Sequence, residues 1–354
     1  MNIALYSSSL FKKEKPDLTD FIVETFFLFI QQHSEHRCII ITDEKPPEQI
    51  SFSPNTEMVF VKPIPENALL KKIWLDVKLS GVLKKIRADF FISFDNVGSS
   101  TVSIPQCIVI QHVERTKAAY IKKAQLLIVT NKLMKFFLIE KHKIQEEKIA
   151  VIYPVPNKMY EVINTEEKET IKNKYSDGKE FFLFNSIFPG KDDFINLLKS
   201  FSHFKKRQQS SYKLLLTTET NSFLEKTLEG YKYRNDVKFI NTNDKKDHAL
   251  ILASAYAVLL PFSSNEDLLV ALNAMRSGVP VISVKNSVVS EVAGDAALYA
   301  ETNAIKDMGE KMMLIYTNEN ARSKLIEKGK QVAGTYTYEK AAKLLGQSIL
   351  KVLR

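Results

Sequence analysis

Residues 255–300 read AYAVLLPFSSNEDLLVALNAMRSGVPVISVKNSVVSEVAGDAALYA. Two short apolar runs, residues 257–261 and 279–284, have the length and composition of buried strands. Between them, a polar start at Ser264 or Asn265 and a stop near Gly278 predict a helix. A strand, a helix and a second strand make one βαβ unit, which requires a parallel sheet.

The loops of this unit are the first candidates for a binding site. In open parallel sheets, ligands bind outside the carboxyl ends of the strands. Residues 263–267 follow the first strand, and residues 286–294 follow the second. We therefore expect both loops to lie at the rim of one cleft.

The rest of the chain alternates in the same way. Strand-like runs and amphipathic helical stretches follow one another through all 354 residues, which indicates an α/β protein with parallel sheets. This length suits two domains. Pro154, Pro156 and a charged helical stretch at 166–174 interrupt the alternation and predict the domain boundary.

Composition favours a soluble globular protein, with 45% apolar and 26% charged residues. No apolar run is long enough to span a membrane and no secretory signal is visible, so we expect a cytoplasmic location. Cys38 and Cys107 lie in strand-like runs and are interpreted as core thiols in preference to a disulfide or a pair of metal ligands.

The chain is basic, with a net charge of +9. Basic residues cluster on one predicted helical stretch, at Lys71, Lys72, Lys78, Lys84, Lys85 and Arg87. This cluster is either a solvated helix face or a patch that contacts an anionic membrane surface. No interleaving of basic and aromatic residues suggests a nucleic-acid platform, so no nucleic-acid partner is expected.

Several enzyme classes find no support in the motifs. The sequence has no G-x-S-x-G, no Walker loop and no G-x-G-x-x-G, which argues against serine hydrolases, P-loop NTPases and common dehydrogenases. The histidines at 33, 36, 142, 203 and 248 make no metal-binding spacing with cysteine, so no metal site is expected.

The stretch 255–300 resembles the donor-binding motif of family 4 GT-B glycosyltransferases, the glycosyl transferases group 1. The residues in register with that motif are Pro261, Ala274, Met275, Gly278, Pro280, Val281, Glu291, Val292, Gly294, Asp295 and Ala296. Residues 126–152 and 181–201 resemble two further segments of the family, the latter with Lys191 at its lysine position.

The resemblance implies a GT-B fold, in which two Rossmann-like domains face each other across a cleft. The expected boundaries are 1–155 for the N-terminal domain on the acceptor side and 156–178 for a linker and helix. Residues 179–335 would form the C-terminal domain on the nucleotide-sugar donor side, and 336–354 a final helix returning toward the N-terminal domain.

The resemblance also implies roles for particular residues. In the family a lysine and an arginine reach the diphosphate; the lysine is Lys191 here, and the arginine position holds Ser186. Two glutamates, near the transferred sugar and on the ribose, are replaced by Asn265 and Asn273. An amide can accept a hydrogen bond from a hydroxyl, but it cannot act as a base.

The first turn of the predicted helix is acidic where the family has glycines. Glu266 would replace the missing first glutamate only with a shift of one residue. Ser264 and Asp267 have the spacing of a capping box, in which the helix satisfies its own N–H groups. Carboxylates at 266 and 267 would repel a diphosphate unless their side chains turn outward. Only 11 glycines occur, about 3% against a usual value of about 7%.

Three further positions are candidates on weaker grounds. Glu291 would orient the donor or fix its own loop. His112 matches a family position that faces the cleft, although a single histidine after a strand is more often structural. Ser7, Ser8 and Ser9 fill the first loop and are candidates for contact with an acceptor or phosphate.

The function implied by the resemblance is transfer of a sugar from a nucleotide diphosphate sugar to a cell-envelope or polysaccharide acceptor. The reaction would be retaining and would need no metal or other cofactor. The partners would be the donor and a glycan or lipid-linked acceptor, with peripheral contact to the inner face of the membrane left open. The alternative is a homologue that has lost catalysis and serves as a binding or scaffold protein.

Overall fold

The computed structural model describes residues 1–7, 10, 17–43, 46, 52–61, 67–94, 96–186, 188, 190–208, 210–242 and 244–353. The chain forms two compact units, Met1–Pro154 together with Thr337–Arg354, and Val155–Tyr336. Residues 156–178, expected to link the domains, lie within the second unit. Their helix, α6 (Thr165–Ser176), packs against another helix of that unit, α9 (Lys245–Ser254).

The first unit contains a seven-stranded sheet in the order β3-β2-β1-β4-β5-β6-β7, with every neighbouring pair parallel. Its strands are β1 (Asn2–Tyr6), β2 (Arg37–Thr42), β3 (Thr56–Phe60), β4 (Phe90–Ser93), β5 (Gln106–Val109), β6 (Leu126–Val129) and β7 (Ile149–Val151).

The helices of the first unit are α1 (Asp17–Gln32), α2 (Ala68–Ile73), α3 (Leu79–Lys85), α4 (Ala118–Lys123), α5 (Lys132–His142) and α14 (Tyr338–Leu353). The stretch predicted to be helical, which carries the clustered basic residues, forms α2 and α3, and Trp74–Lys78 form a π-helical turn that joins them. Helix α14 packs on α1, where the rings of Phe21 and Tyr338 lie 6.4 Å apart.

The second unit contains a six-stranded sheet in the order β10-β9-β8-β11-β12-β13, again entirely parallel. Its strands are β8 (Phe181–Phe184), β9 (Lys213–Leu216), β10 (Val237–Phe239), β11 (Ala257–Leu259), β12 (Val281–Val284) and β13 (Leu298–Ala300). Its remaining helices are α7 (Lys191–Gln208), α8 (Ser222–Glu229), α10 (Asp267–Arg276), α11 (Val288–Ala293), α12 (Ile305–Thr317) and α13 (Glu319–Thr335).

Both sheets confirm the prediction of parallel α/β domains. In each, the strand order reverses beside the first strand, between β1 and β4 and between β8 and β11. This is the Rossmann arrangement, and the reversal marks the crevice in which such sheets bind ligands. Apolar side chains pack on the sheets, and Cys38 and Cys107 are buried free thiols, as expected. In the described part of the chain, no helix combines the length and apolar character needed to cross a bilayer.

Candidate functional site

The crevice of the second unit lies where β8 and β11 end side by side. Ser186 follows β8, and the turn 260–266 joins β11 to α10. The neighbouring strand β12 ends at Val284 and leads into α11, which contains Glu291. The predicted residues of this unit that follow these three strands therefore meet at one edge of the sheet.

Helix α10 begins at Asp267, later than the predicted start at Ser264 or Asn265. The Asp267 side chain turns inward and is 1% exposed. Its Oδ1 accepts a hydrogen bond from the Ser186 hydroxyl at 2.8 Å, and its Oδ2 accepts one from the Ser264 amide at 2.9 Å. Residues 264–266 therefore form a turn closed by this carboxyl group, and the helix starts after it.

The Ser264–Asp267 pair forms half of the predicted capping box. Asp267 reaches back to the Ser264 amide, but the Ser264 hydroxyl accepts from Glu266, at 3.3 Å. Burial raises the pKa of Asp267 to about 6, against the lowering effect of its two hydrogen bonds. Burial therefore favours the neutral form of this carboxyl group more than solvent does. The group faces Ser186, the residue at the position where the resembled family has an arginine.

Asn265 and Glu266 are half-buried residues of the turn before α10. Glu266 is the N-cap residue of the helix, and its side chain makes no capping hydrogen bond. Asn265 and Glu266 thus lie half-buried in the turn that follows β11, whereas the side chain of Asp267 is buried in the interior.

Asn273, predicted to hold the ribose, lies in the middle of α10 and is 2% exposed. Its Oδ1 accepts a hydrogen bond from the Asn157 amide at 3.0 Å. This bond fixes the segment that precedes α6 against α10. The carbonyl group of Asn273 therefore has a structural partner within the unit.

Lys191 is the first residue of α7, and it is exposed. Its Nζ lies 5.0 Å from the centre of the Phe223 ring, a cation–π contact that costs little to break at the surface. Pro189, which supported the resemblance at this loop, lies outside the described residues. A cation at the start of a helix adds to the positive end of the helix dipole, which suits an anionic ligand.

Glu291 lies in α11, whose start is capped by the Ser287 side chain on the Ser290 amide. The carboxyl group of Glu291 is half-buried. Burial raises the pKa of Tyr336, and the nearby charge of Glu291 adds to that effect. Glu291 is therefore close to the end of the second unit, where the chain leaves for α14.

His112 belongs to the first unit and follows β5, beside the crevice of that sheet. The Asn96 side chain fixes its backbone by accepting hydrogen bonds from the Gln111 and His112 amides, at 2.6 and 3.0 Å. Of the first loop, Ser7 is buried, and Ser8 and Ser9 lie outside the described residues.

A polar chain that the sequence analysis missed lies beside Ser186. Asn185 Oδ1 accepts from the Thr217 hydroxyl at 2.7 Å and lies 3.0 Å from His248 Nε2. His248 Nδ1 lies 3.0 Å from the hydroxyl of Tyr160, which is 3% exposed. With Asn185 accepting, Nε2 donates and Nδ1 accepts from Tyr160. The position of Asn185 directly after β8 was the available signal.

The second unit is similar in sequence to a known protein family. Residues 165–332, nearly the whole second unit, match the family model of the glycosyl transferases group 1. No curated protein matches the chain in sequence.

Solved structures with the same fold cover the whole chain at low identity. A glycosyltransferase from Rickettsia africae has a TM-score of 0.73 and 13% identity, over 100% of this chain and 98% of that one. WaaG, a glycosyltransferase involved in lipopolysaccharide biosynthesis, has a TM-score of 0.72 and 15% identity, over 96% of this chain and 98% of that one. HepE from Anabaena, in complex with UDP and glucose, has a TM-score of 0.72 and 11% identity, over 99% of this chain and 100% of that one.

The GT-B fold predicted from the sequence is therefore confirmed, and the resemblance to the glycosyl transferases group 1 is confirmed for residues 165–332. The chain as a whole has the fold of the GT-B glycosyltransferases, and only its second unit matches the family model.

Proposed function

We propose that this protein transfers a sugar from a nucleotide diphosphate sugar to a cell-envelope or polysaccharide acceptor. The observation that carries the proposal is the convergence of polar residues at the carboxyl ends of β8, β11 and β12, within the domain that matches the family. The Anabaena relative is described as a complex with UDP and glucose, which makes UDP the first nucleotide to test.

Lys191 is the proposed partner of the diphosphate. It is exposed at the first position of an 18-residue helix, so its charge and the helix N-terminus act in the same direction. A departing nucleotide carries negative charge, and fixed positive groups at that point lower the barrier to its departure. Independence from metal ions and retention of configuration are both proposed from the family resemblance.

Asn265 and Glu291 are the proposed lining of the sugar subsite, because both follow strands at the same sheet edge. The Asn265 amide can hydrogen-bond sugar hydroxyls, while Glu266 is the nearest carboxylate that remains outside the interior. Asn273 would contribute to ribose binding through its amide NH2 group or the second lone pair of Oδ1, since the bond from Asn157 occupies the first. His112 is the proposed contribution of the first unit.

The rival function, a binding or scaffold protein without catalysis, is favoured by one specific contact. Ser186, where the family has an arginine, is bonded to the buried carboxyl group of Asp267. This places a titratable acid where the family has a cation for the diphosphate. A donor site of this kind would bind nucleotide weakly or not at all.

Calorimetric titration with UDP, GDP and ADP distinguishes the two functions. We expect micromolar binding of one nucleotide and at least a tenfold loss of affinity in Lys191→Ala, because a charged hydrogen bond contributes about 1.5–3 kcal/mol. Lys199→Ala is the matched control, since Lys199 is exposed on the same helix. Absence of heat with all three nucleotides from folded protein would favour the scaffold function.

The acceptor is proposed to be presented at a membrane surface. Leu70, Ile73 and Val77 are 53%, 51% and 64% exposed along α2 and the π-helical turn. Their spacing of three and four residues places them on one helical face, and the exposed Lys72 and Lys78 flank it. An apolar stripe bordered by lysines is the arrangement that binds anionic lipid surfaces.

Co-sedimentation with vesicles tests this surface. Wild-type protein should sediment with vesicles containing an anionic lipid and remain in solution with purely zwitterionic ones. Ile73→Glu with Val77→Glu should abolish the sedimentation, whereas Leu344→Glu, at an apolar residue of α14 that is 46% exposed, should not. Equal sedimentation of all three proteins would reject the membrane contact and leave a solvated helix face.

A further inference from the structure

A cluster of potential metal ligands lies in the first unit, in the connection between α1 and β2. His33, Glu35 and His36 lie within the four residues that follow the end of α1. One ligand atom from each lies within 4.8 Å of the other two. Within the part of the chain that the structure describes, this is the one such group of three.

The distances between the ligand atoms of the cluster are close to the distances between two ligand atoms of one bound ion. His33 Nδ1 lies 3.0 Å from Glu35 Oε1, and His36 Nε2 lies 3.6 Å from the same oxygen. In a tetrahedral zinc site with bonds of about 2.0–2.1 Å, two ligand atoms are about 3.3 Å apart. Small rotations of the side chains would therefore bring all three atoms to bonding distance.

His36 provides an independent observation. Its side chain is only 11% exposed, and neither of its ring nitrogens has a hydrogen-bond partner in the structure. A buried imidazole nitrogen without a hydrogen-bond partner is unfavourable. An ion at Nε2 would remove that cost.

The backbone of this connection is held rigidly, which a preformed site requires. The Asn55 side-chain amide donates to the carbonyl of His36 at 2.8 Å and contacts those of Ile30 and His33 at 3.3 and 3.5 Å. The His36 amide donates to the His33 carbonyl at 3.0 Å. The three ligands thus start from a fixed turn and not from a flexible loop.

The opposite side of His33 faces α14. At Gly346 an added Cβ would lie 3.0 Å from His33 Nε2, so the helix approaches the ring closely there. Beside this contact is an open cavity of about 410 Å³, lined by residues that include His33, Glu339 and Gly346. This cavity reaches His33 alone of the three residues, and solvent reaches the cluster itself through the exposed side chain of Glu35.

We propose that His33 Nδ1, Glu35 Oε1 and His36 Nε2 bind one Zn²⁺ ion, with water as the fourth ligand. Two imidazoles and one carboxylate form a ligand set typical of zinc. The ion sits at the amino end of β2, whereas His112 and the crevice of this sheet lie at the carboxyl ends. Its role is therefore structural: it fixes the end of α1, the start of β2 and, through His33, the contact with α14.

The test uses the full chain without a histidine tag, treated with chelator and then titrated with ZnCl2. We expect one equivalent of zinc to bind and the unfolding temperature to rise by about 5 °C at saturation, since a ligand that binds only the folded state stabilises it. Co²⁺ in place of zinc should give the absorption of a four-coordinate site.

Matched variants make the assignment specific. Glu35→Gln and His33→Gln, both at accessible positions, should lower zinc affinity at least tenfold and remove the thermal shift. His142→Gln, at a histidine of α5, should leave both unchanged. His36→Gln is a further variant, but the first two decide even if it fails to fold. No binding by wild type, or full binding by Glu35→Gln and His33→Gln, would overturn the proposal.

Discussion

At the scale of single residues, Asp267 makes the stability of the second unit depend on pH. Its pKa is about 6 in the folded protein and 3.8 in the unfolded chain. Between these values the folded state binds more protons, so the free energy of unfolding falls as pH rises. Above about pH 6 the stabilisation by the protonated form is lost.

Asp267→Asn should remove this pH dependence. An asparagine can keep both contacts, accepting from the Ser264 amide and donating to the Ser186 hydroxyl, without a charge to desolvate. At pH 7 we expect the variant to be more stable than wild type by about 1–3 kcal/mol, because one pKa unit corresponds to about 1.4 kcal/mol. Urea unfolding at pH 4, 5, 6 and 7 measures the difference.

Asp192→Asn is the matched control, since Asp192 is an exposed acid in the first turn of α7. This variant should show the same pH profile as wild type between pH 4 and 7. If the free energy of unfolding of Asp267→Asn also changed with pH as that of wild type does, Asp267 would be ionised in the folded protein without loss of stability.

The two thiols should be unreactive in the native protein. Cys38 and Cys107 are 1% and 0% exposed. Burial raises the pKa of Cys38 to about 12 and raises that of Cys107 as well, so the nucleophilic thiolate is scarce. A chromogenic disulfide reagent should label neither thiol at pH 8 and both in guanidinium chloride. Rapid labelling of native protein would show that β2 or β5 opens easily.

At the scale of elements, the contact between α7 and α12 depends on a missing side chain. At Gly309 of α12 an added Cβ would lie 2.8 Å from the His203 ring and 2.9 Å from the Ser200 carbonyl of α7. The backbone oxygen cannot move without displacing the helix. Gly309→Ala should therefore destabilise the protein by about 1–3 kcal/mol, despite the higher helix propensity of alanine.

Gly334→Ala separates the steric effect from the propensity. Gly334 lies in α13, and an added Cβ there would have no neighbour within 4 Å. We expect this variant to gain about 0.5–1 kcal/mol. Thermal unfolding of both variants measures the opposite signs, and a stabilised Gly309→Ala would show that α7 and α12 can separate slightly.

The helices and strands also show how much of the fold could be predicted from the sequence. The apolar runs at residues 257–261 and 279–284 predicted buried strands, because burial on both faces of a parallel sheet leaves a purely apolar pattern. The start of α10 was misplaced because the decisive contact of Asp267 is with Ser186, 81 residues away. Local patterns carry no information on such partners.

For the candidate site too, the sequence predicted the positions of residues along the chain but not their long-range partners. The motif placed Asn265, Glu266 and Glu291 at the ends of strands, and the sheet order brings these strands together. The partner of Asn273, on the other hand, is an amide 116 residues away, and the chain from Tyr160 to Asn185 passes through His248 of a distant helix. These contacts required the folded structure.

At the scale of the whole molecule, the two units differ in the number of chain segments that form them. The second unit is one continuous segment, Val155–Tyr336, and its core consists of its own residues, from Phe182 to Leu325. The first unit needs residues from both ends of the chain, since α14 covers α1 beside Phe21 and Phe29. A continuous unit with its own core is able to fold alone.

We therefore expect residues 155–336 to fold as an isolated fragment and residues 1–336 to be impaired. Without α14, the apolar face of α1 that includes Phe21 and Phe29 loses its cover, which exposes a surface prone to aggregation. The fragment should show a cooperative thermal transition and dispersed amide NMR signals. If the donor nucleotide binds mainly to this unit, the fragment should retain the affinity of the full chain within about tenfold. An unfolded fragment would instead mean that the second unit draws its stability from the first.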